Sequence, residues 1–183
     1  MSHVRQFARL ILAIMREIGD EKTFNEIFSI FKSQKVPDQK LAALGALAGS
    51  RSKQLIEKAL ELSLKEEPVR PQDSIYLFTG AGRNVFGRRL CFEFMQRHWN
   101  VFHERYGRGG LALLSRIVTS STDSLTTEQD AETVEKFFAD KDTSSIDRAI
   151  NQSVEKIRAN SGWLERNRQG VSDFLCEAGK EEL

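Results

Sequence analysis

The spacing of the apolar residues is the feature that most limits what this chain can fold into. They recur every three or four positions along almost the whole sequence, as in Ile11, Ile14 and Ile18 near the start and Val154 and Ile157 near the end. Such spacing places apolar side chains along one side of an α-helix. The 183 residues contain only three prolines and twelve glycines, which disfavours many short strands joined by turns. We therefore predict an all-α protein.

The predicted helices follow one another through short connections, and short connections make neighbouring helices antiparallel. We predict a superhelical array of antiparallel helix hairpins, a HEAT-like α-solenoid whose repeats differ in sequence. A compact helical bundle is the alternative architecture. No linker or low-complexity segment divides the chain, so residues 1–183 are predicted to form a single domain.

Local signals predict where individual helices begin and end. Gly19 and Asp20 are expected to end the first helix. Thr126, followed by Gln129 three residues later, predicts a capping box at the start of a later helix. From residue 88 onward, the sequence also predicts three helical segments without an internal break: residues 88–107, 144–167 and 170–179.

Charge, hydropathy and cysteine content limit which partners and which cellular environment the sequence predicts. The formal net charge is +1, from 27 basic and 26 acidic side chains whose signs are interleaved, so we expect no nucleic-acid partner. No apolar run reaches the length of a membrane span, so no membrane association is expected. Cys91 and Cys176 lie far apart in apolar helical stretches, which predicts two reduced, buried thiols in an intracellular protein. A disulfide between them is the alternative.

The stretch SIYLFTGAGRNVFGRR, residues 74–89, superficially resembles a phosphate-binding loop. Gly80, Gly82 and Gly87 do not have the spacing of a dinucleotide-binding loop, and Arg88 and Arg89 replace the lysine and hydroxyl residue of a P-loop. Either loop also requires a parallel sheet, and no second run predicts a strand. We therefore predict a short helix over residues 72–80 with Gly80 or Gly82 as its left-handed cap, and disfavour a nucleotide-binding enzyme.

The sequence contains no recognisable catalytic or metal-binding constellation. His98 and His103 are five residues apart, which turns them about 140° away from each other on a helix. They therefore cannot share a metal ion from one helix face. The aromatic residues of this region have helical spacing and are predicted to be core: Phe92, Phe94, Trp99, Phe102 and Tyr106.

Residues 69–138 and 150–167 resemble the C-terminal helical domain of zinc aminopeptidases, a group that includes the puromycin-sensitive and endoplasmic-reticulum enzymes. Residues 15–64 fit the earlier hairpins of the same domain. Each motif is weak alone, but their order and spacing together are specific. Among the motif residues that carry the resemblance, those expected to have structural roles are Gln72, Asp73, Gly87, Arg88, Trp99 and Trp163.

This resemblance implies a domain without catalytic residues of its own. The family's catalysis uses H-E-x-x-H with a distant glutamate to hold zinc, and a G-A-M-E-N loop that binds the substrate's amino end. None of these motifs occurs in this sequence. By the resemblance, they belong to a preceding catalytic domain, so we expect no catalytic residue, metal ligand or cofactor within this chain.

The resemblance further implies that the domain packs on the catalytic domain, encloses the peptide-substrate cavity with its concave face and shapes specificity. Arginines on that face would suit a peptide's C-terminal carboxylate, and Arg70 and Arg116 are the candidates. The alternative for each is a pair within the domain, with Asp73 as the partner of Arg70. The alternative function for the whole chain is a stand-alone helical adaptor that binds other proteins.

Overall fold

A computed structural model describes residues 3–65 and 67–181, which contain ten α-helices and two short 3-10 helices but no strand. The all-α prediction is confirmed. Within these residues, no helix combines the length and apolarity needed to cross a bilayer. The α-helices are α1 (His3–Glu17), α2 (Glu21–Ser33), α3 (Pro37–Leu47), α4 (Lys53–Glu61), α5 (Ile75–Gly82), α6 (Arg88–Arg97), α7 (Trp99–Tyr106), α8 (Leu111–Thr122), α9 (Glu128–Phe138) and α10 (Asp147–Glu181). The 3-10 helices are Leu62–Leu64 and Pro71–Asp73.

The helices pack in chain order, as expected of an α-solenoid. One row consists of α1, α3, α5, α8 and α10, each of which packs on the next. The remaining helices lie beside this row: α2 on α1 and α3, α4 on α5 and α6, α6 on α5 and α8, α7 on α8, and α9 on α10. Each helix therefore contacts mainly its neighbours along the array.

A continuous apolar core runs between the helices, and its centre is aromatic. The ring of Phe78 on α5 meets the ring of Phe102 on α7 edge to face, with 5.4 Å between centroids. Trp99 packs against Phe138 on α9 in the same manner, at 5.1 Å. Every member of the aromatic row predicted to be core is buried, which confirms that prediction.

Two helix boundaries show how local chemistry sets the ends. Gly19 has a φ of 45°, and the carboxylate of Asp20 caps α2 by accepting a hydrogen bond from the Thr23 backbone N–H at 2.7 Å. That hydrogen bond lowers the pKa of Asp20. The capping box of α9 starts at Thr127 and closes on Asp130, so the predicted start at Thr126 is wrong by one residue. The short Asp130 side chain accepts from the Thr126 and Thr127 N–H groups, which fixes this register.

Two of the predicted helical segments differ from the observed ones. The helix predicted over residues 88–107 is broken at His98, whose φ of −110° and ψ of 16° redirect the chain between α6 and α7. This break lets Phe94 face Phe78 while Trp99 faces Phe138. Conversely, α10 continues through the interruption predicted near residue 170, because Gly170 lies in open space and a single glycine does not end a helix.

Gly80 and Gly82 are not left-handed caps, because both lie inside α5 and neither has a positive φ. Packing requires them instead: a Cβ on Gly80 would lie 2.2 Å from the carbonyl oxygen of Gly45, and one on Gly82 would lie 1.9 Å from that of Ser120. Their absent side chains let α5 approach α3 on one side and α8 on the other. The helix prediction for this stretch is thus confirmed and the cap is corrected.

Only one of the two cysteines belongs to the core. Cys91 on α6 is buried, and this burial raises the pKa of its thiol to about 12. Cys176 on α10 is exposed, so the prediction of two buried cysteines is wrong for this residue. Both are free thiols in the structure, and the alternative of a disulfide is not realised.

Candidate functional site

A polar pocket of about 260 Å³ lies where α5, α8 and α10 meet. It contains Arg116, one of the two arginines predicted to contact substrate. The pocket is lined by Thr79 and Arg83 from α5 and its C-terminal end, by Arg116, Thr119, Ser120, Asp123 and Ser124 from α8 and the turn after it, and by Lys156 from α10. We call this feature the α5–α8–α10 pocket.

The pattern of α8 explains why these polar groups gather. Arg116, Thr119, Ser120 and Asp123 follow the spacing of one helix face. The opposite face is buried in the core through Leu114, Ile117, Val118 and Ser121. Gly82 brings α5 close to the α8 backbone, and the hydroxyls of Thr79 and Ser120 lie 3.2 Å apart across the joint. The polar face of α8 therefore meets the end of α5.

Some charged side chains of the pocket form an ion pair and others do not. Lys156 Nζ lies 2.6 Å from Asp123 Oδ2, and Ser153 donates to the other carboxylate oxygen at 3.3 Å. The carboxylate of Asp123 is therefore paired with Lys156. The guanidinium groups of Arg83 and Arg116 have no ion-pair or hydrogen-bonding partner among the described residues. Two arginines without acidic partners in one pocket suit an anion with two oxygens, such as a carboxylate.

Arg70, the other predicted substrate contact, lies outside this pocket. Its Nε donates to Asp73 Oδ2 at 2.7 Å and its Nη2 lies 3.3 Å from Oδ1, while the Asp73 carboxylate is buried. This pair within the domain was the alternative left open by the sequence. The carboxylate raises the pKa of Arg70. A substrate contact by Arg70 stays a prediction.

The other motif residues occupy varied positions. Gln72 is exposed, Trp99 is buried, and Gly87 is the N-cap residue of α6. Arg88 donates from Nη1 to the carbonyl of Ser124 at 3.1 Å, which ties the start of α6 to the turn between α8 and α9. Trp163 is 52% exposed on α10, so it does not share the burial of Ile157 six residues earlier.

A larger cleft, of about 620 Å³, lies between α7 and the segment before α10. Its lining includes His103, which is partly buried, the acidic residues Glu104 and Asp142, and the basic residue Arg108. Hydrogen bonds from Ser144 lower the pKa of Asp142. Within the described part of the chain, no group of three His, Cys, Asp or Glu side chains could hold a metal ion. The described residues therefore do not fit a zinc site of the kind that the family's catalysis uses.

Sequence reasoning missed Arg83 and Lys156 as members of the pocket. Arg83 follows the glycine pair of α5, and its position depends on how closely α5 approaches α8. Lys156 comes from a helix that is distant in the sequence. The four-residue interval between Thr79 and Arg83 was the available signal, since it places Arg83, the C-cap residue of α5, on the same side as Thr79.

Comparison with known proteins supplies the family context. The profile of a family described as "ERAP1-like C-terminal domain" matches residues 6–159. This match includes α2 to α9, most of α1 and the first third of α10. It therefore covers every residue of the α5–α8–α10 pocket.

Several aminopeptidases are similar to this chain over most of its length. Aminopeptidase 2 of Candida albicans is 29% identical over 157 residues, which are 86% of this chain and 17% of that protein. Puromycin-sensitive aminopeptidase of Caenorhabditis elegans is 26% identical, over 90% of this chain and 18% of its own length. Aminopeptidase M1-B of Oryza sativa is 30% identical, over 84% and 17%. The chain thus spans less than a fifth of each of these relatives.

Proposed function

Because the chain belongs to the family of ERAP1-like C-terminal domains, we propose that it is the noncatalytic C-terminal domain of a zinc aminopeptidase. In this role it is a single domain that packs on the catalytic domain, encloses the cavity that receives peptides and shapes specificity. The observation that supports this proposal most directly is the profile match over residues 6–159. The zinc ion and its ligands belong to the catalytic domain.

We further propose that the α5–α8–α10 pocket binds the C-terminal carboxylate of a peptide substrate. The two carboxylate oxygens would accept hydrogen bonds from Arg83 and Arg116, whose guanidinium groups lack acidic partners among the described residues. Thr119 and Ser120 add hydroxyl groups to the same lining. The Lys156–Asp123 pair holds the α10 side of the pocket in place.

This proposal predicts weaker peptide binding when the unpaired arginines are removed. We expect Arg116→Ala to weaken binding of a fluorescently labelled peptide about tenfold, the effect of losing roughly 1.4 kcal/mol of charge-assisted hydrogen bonding. Arg83→Ala should have a similar effect. Fluorescence anisotropy titration measures both, and the same peptide with a C-terminal amide should bind the unmodified chain as weakly as the variants bind the acid.

Two further variants test whether the loss of peptide affinity is specific to the arginines of the pocket. Arg5→Ala removes an exposed arginine of α1 and should leave peptide affinity unchanged. Arg70→Ala tests the other arginine predicted from the sequence, and we expect a small effect because its guanidinium is held by Asp73. Equal affinity for acid and amide, or an Arg116→Ala variant that binds as well as the unmodified chain, would contradict the carboxylate assignment.

The second candidate function is a stand-alone helical adaptor that binds another protein. Its support is the array of helices that contact mainly their neighbours, since such arrays present extended surfaces to which other proteins bind. Co-purification with a catalytic fragment would favour the domain over the adaptor. For either function we propose a cytoplasmic location, on the basis of the resemblance to puromycin-sensitive aminopeptidases.

A further inference from the structure

The last part of α10 extends beyond the hydrophobic core and carries large exposed apolar side chains. Ser161 is buried, and between residues 162 and 177 no side chain is buried. The exposed fractions in this segment are 52% for Trp163, 38% for Leu164, 44% for Val171, 68% for Phe174 and 62% for Leu175. We call these five residues the α10 stripe.

The stripe lies on one face of the helix, which it shares with Asn167, whose amide donates to the Trp163 carbonyl. At 100° per residue, its members fall within an arc of about 120°, the width of a face that normally packs against another element. Helices in water depend on such packing for most of their stability. The family profile ends at residue 159, so the stripe lies beyond the part of the chain that the profile matches.

The charges beside the stripe favour one particular occupant. Arg166, Asp173 and Glu177 lie within about 40° of one another along one flank, with the arginine toward the N-terminal end and the two acids toward the C-terminal end. Arg166 and Glu177 have no ion pair among the described residues, and Asp173 accepts one hydrogen bond, from Gln169 at 2.8 Å. When two such flanks run in opposite directions, the arginine of each lies opposite the acids of the other.

We propose that the α10 stripe pairs with the same stripe of a second copy of this chain, with the two helices antiparallel. In that orientation Arg166 of each copy lies opposite Asp173 and Glu177 of the other. A parallel two-fold pair would instead place this flank against the opposite flank of the second copy, so that Arg166 and the two acids would not face one another. The two-fold axis then passes near Gly170, where the absence of a side chain lets the helices approach closely.

The size of the stripe sets the expected strength of the dimer. Stable complexes of standard size bury about 800 Å² on each partner, and one helix face of about four turns offers less than that. We therefore expect a reversible dimer with a dissociation constant in the micromolar range, on the order of 10 μM. This association is independent of peptide binding in the α5–α8–α10 pocket.

Sedimentation velocity of the full chain across a micromolar concentration series tests the proposal. We expect a monomer–dimer equilibrium that Phe174→Glu weakens at least tenfold, because the substitution buries a charge in the apolar interface. Leu10→Glu, at a leucine that is 60% exposed on α1, is the matched control and should leave the equilibrium unchanged. A chain that stays monomeric throughout, or a dimer that Phe174→Glu leaves intact, would overturn the proposal.

Charge reversal tests the antiparallel orientation. Arg166→Glu should weaken the dimer several-fold, because it places a glutamate opposite the acids of the second copy. Adding Asp173→Arg and Glu177→Arg to the same chain should restore association, because the flank is again complementary to itself. A dimer that Arg166→Glu does not weaken, or that the triple reversal does not restore, would overturn the antiparallel pairing.

Discussion

Replacing Gly82 with alanine is expected to lower the free energy of unfolding by about 3 kcal/mol, at the upper end of the usual cost of overpacking. The added methyl group would lie 1.9 Å from the backbone carbonyl oxygen of Ser120. A backbone atom cannot turn aside as a flexible side chain can, so α5 and α8 would have to move apart. Urea unfolding followed by circular dichroism measures the loss.

Gly109→Ala is the matched control for this substitution. A Cβ at Gly109 would have no neighbour within 4 Å, and the residue does not have a positive φ. We expect a change within about 0.5 kcal/mol, as for most surface substitutions. If Gly82→Ala were as stable as Gly109→Ala, the close approach of α5 to α8 that forms the polar pocket would be wrong.

Removing the ring of Phe102 should cost still more, about 3–5 kcal/mol of unfolding free energy. Phe102 is fully buried, and its ring meets that of Phe78 edge to face with 5.4 Å between centroids. Phe102→Ala would leave a cavity between α5 and α7 and abolish this aromatic contact. Chemical denaturation of the variant and the unmodified chain under the same conditions gives the difference.

Phe86→Ala provides the comparison, since this phenylalanine is 51% exposed in the loop between α5 and α6. Because much of its ring already contacts water, we expect it to lose less than about 1 kcal/mol. Similar losses for Phe102→Ala and Phe86→Ala would show that Phe102 is not closely packed in the aromatic centre of the core.

The periodicity of the sequence predicted the helices well, because the spacing of apolar residues directly reports which side of a helix is buried. This spacing predicts the buried aromatic row. It also favours a helix over a phosphate-binding loop for the stretch that forms α5. Sequence spacing does not report what a helix end touches. It therefore left open whether Arg70 pairs with Asp73 or faces a substrate, and the structure shows the pair.

The errors arose where distant parts of the chain meet. The sequence predicts Gly80 or Gly82 as a helix cap, but both are required by the close approach of Gly45 and Ser120, which lie on other helices. The break at His98 likewise follows from the two different surfaces that α6 and α7 cover. Arg83 became visible as a pocket residue only when α5 and α8 were in place.

Cys176 illustrates a third kind of error. It lies in a stretch whose pattern is that of a packed helix, which predicts burial. The helix does form, but it runs past the end of the core and leaves this part of α10 exposed. Periodicity predicts that a face will be covered, and it does not say whether the same chain or another one covers it.

The role proposed for this chain is that of a noncatalytic domain that works within an aminopeptidase. The most direct test is the rate of N-terminal residue release by a chimera of Candida albicans Aminopeptidase 2 in which this chain replaces the 157 matched residues. We expect the chimera to hydrolyse a fluorogenic aminoacyl substrate, and the isolated chain with added zinc to release nothing. Turnover by the isolated chain, or a folded chimera without activity, would contradict this role.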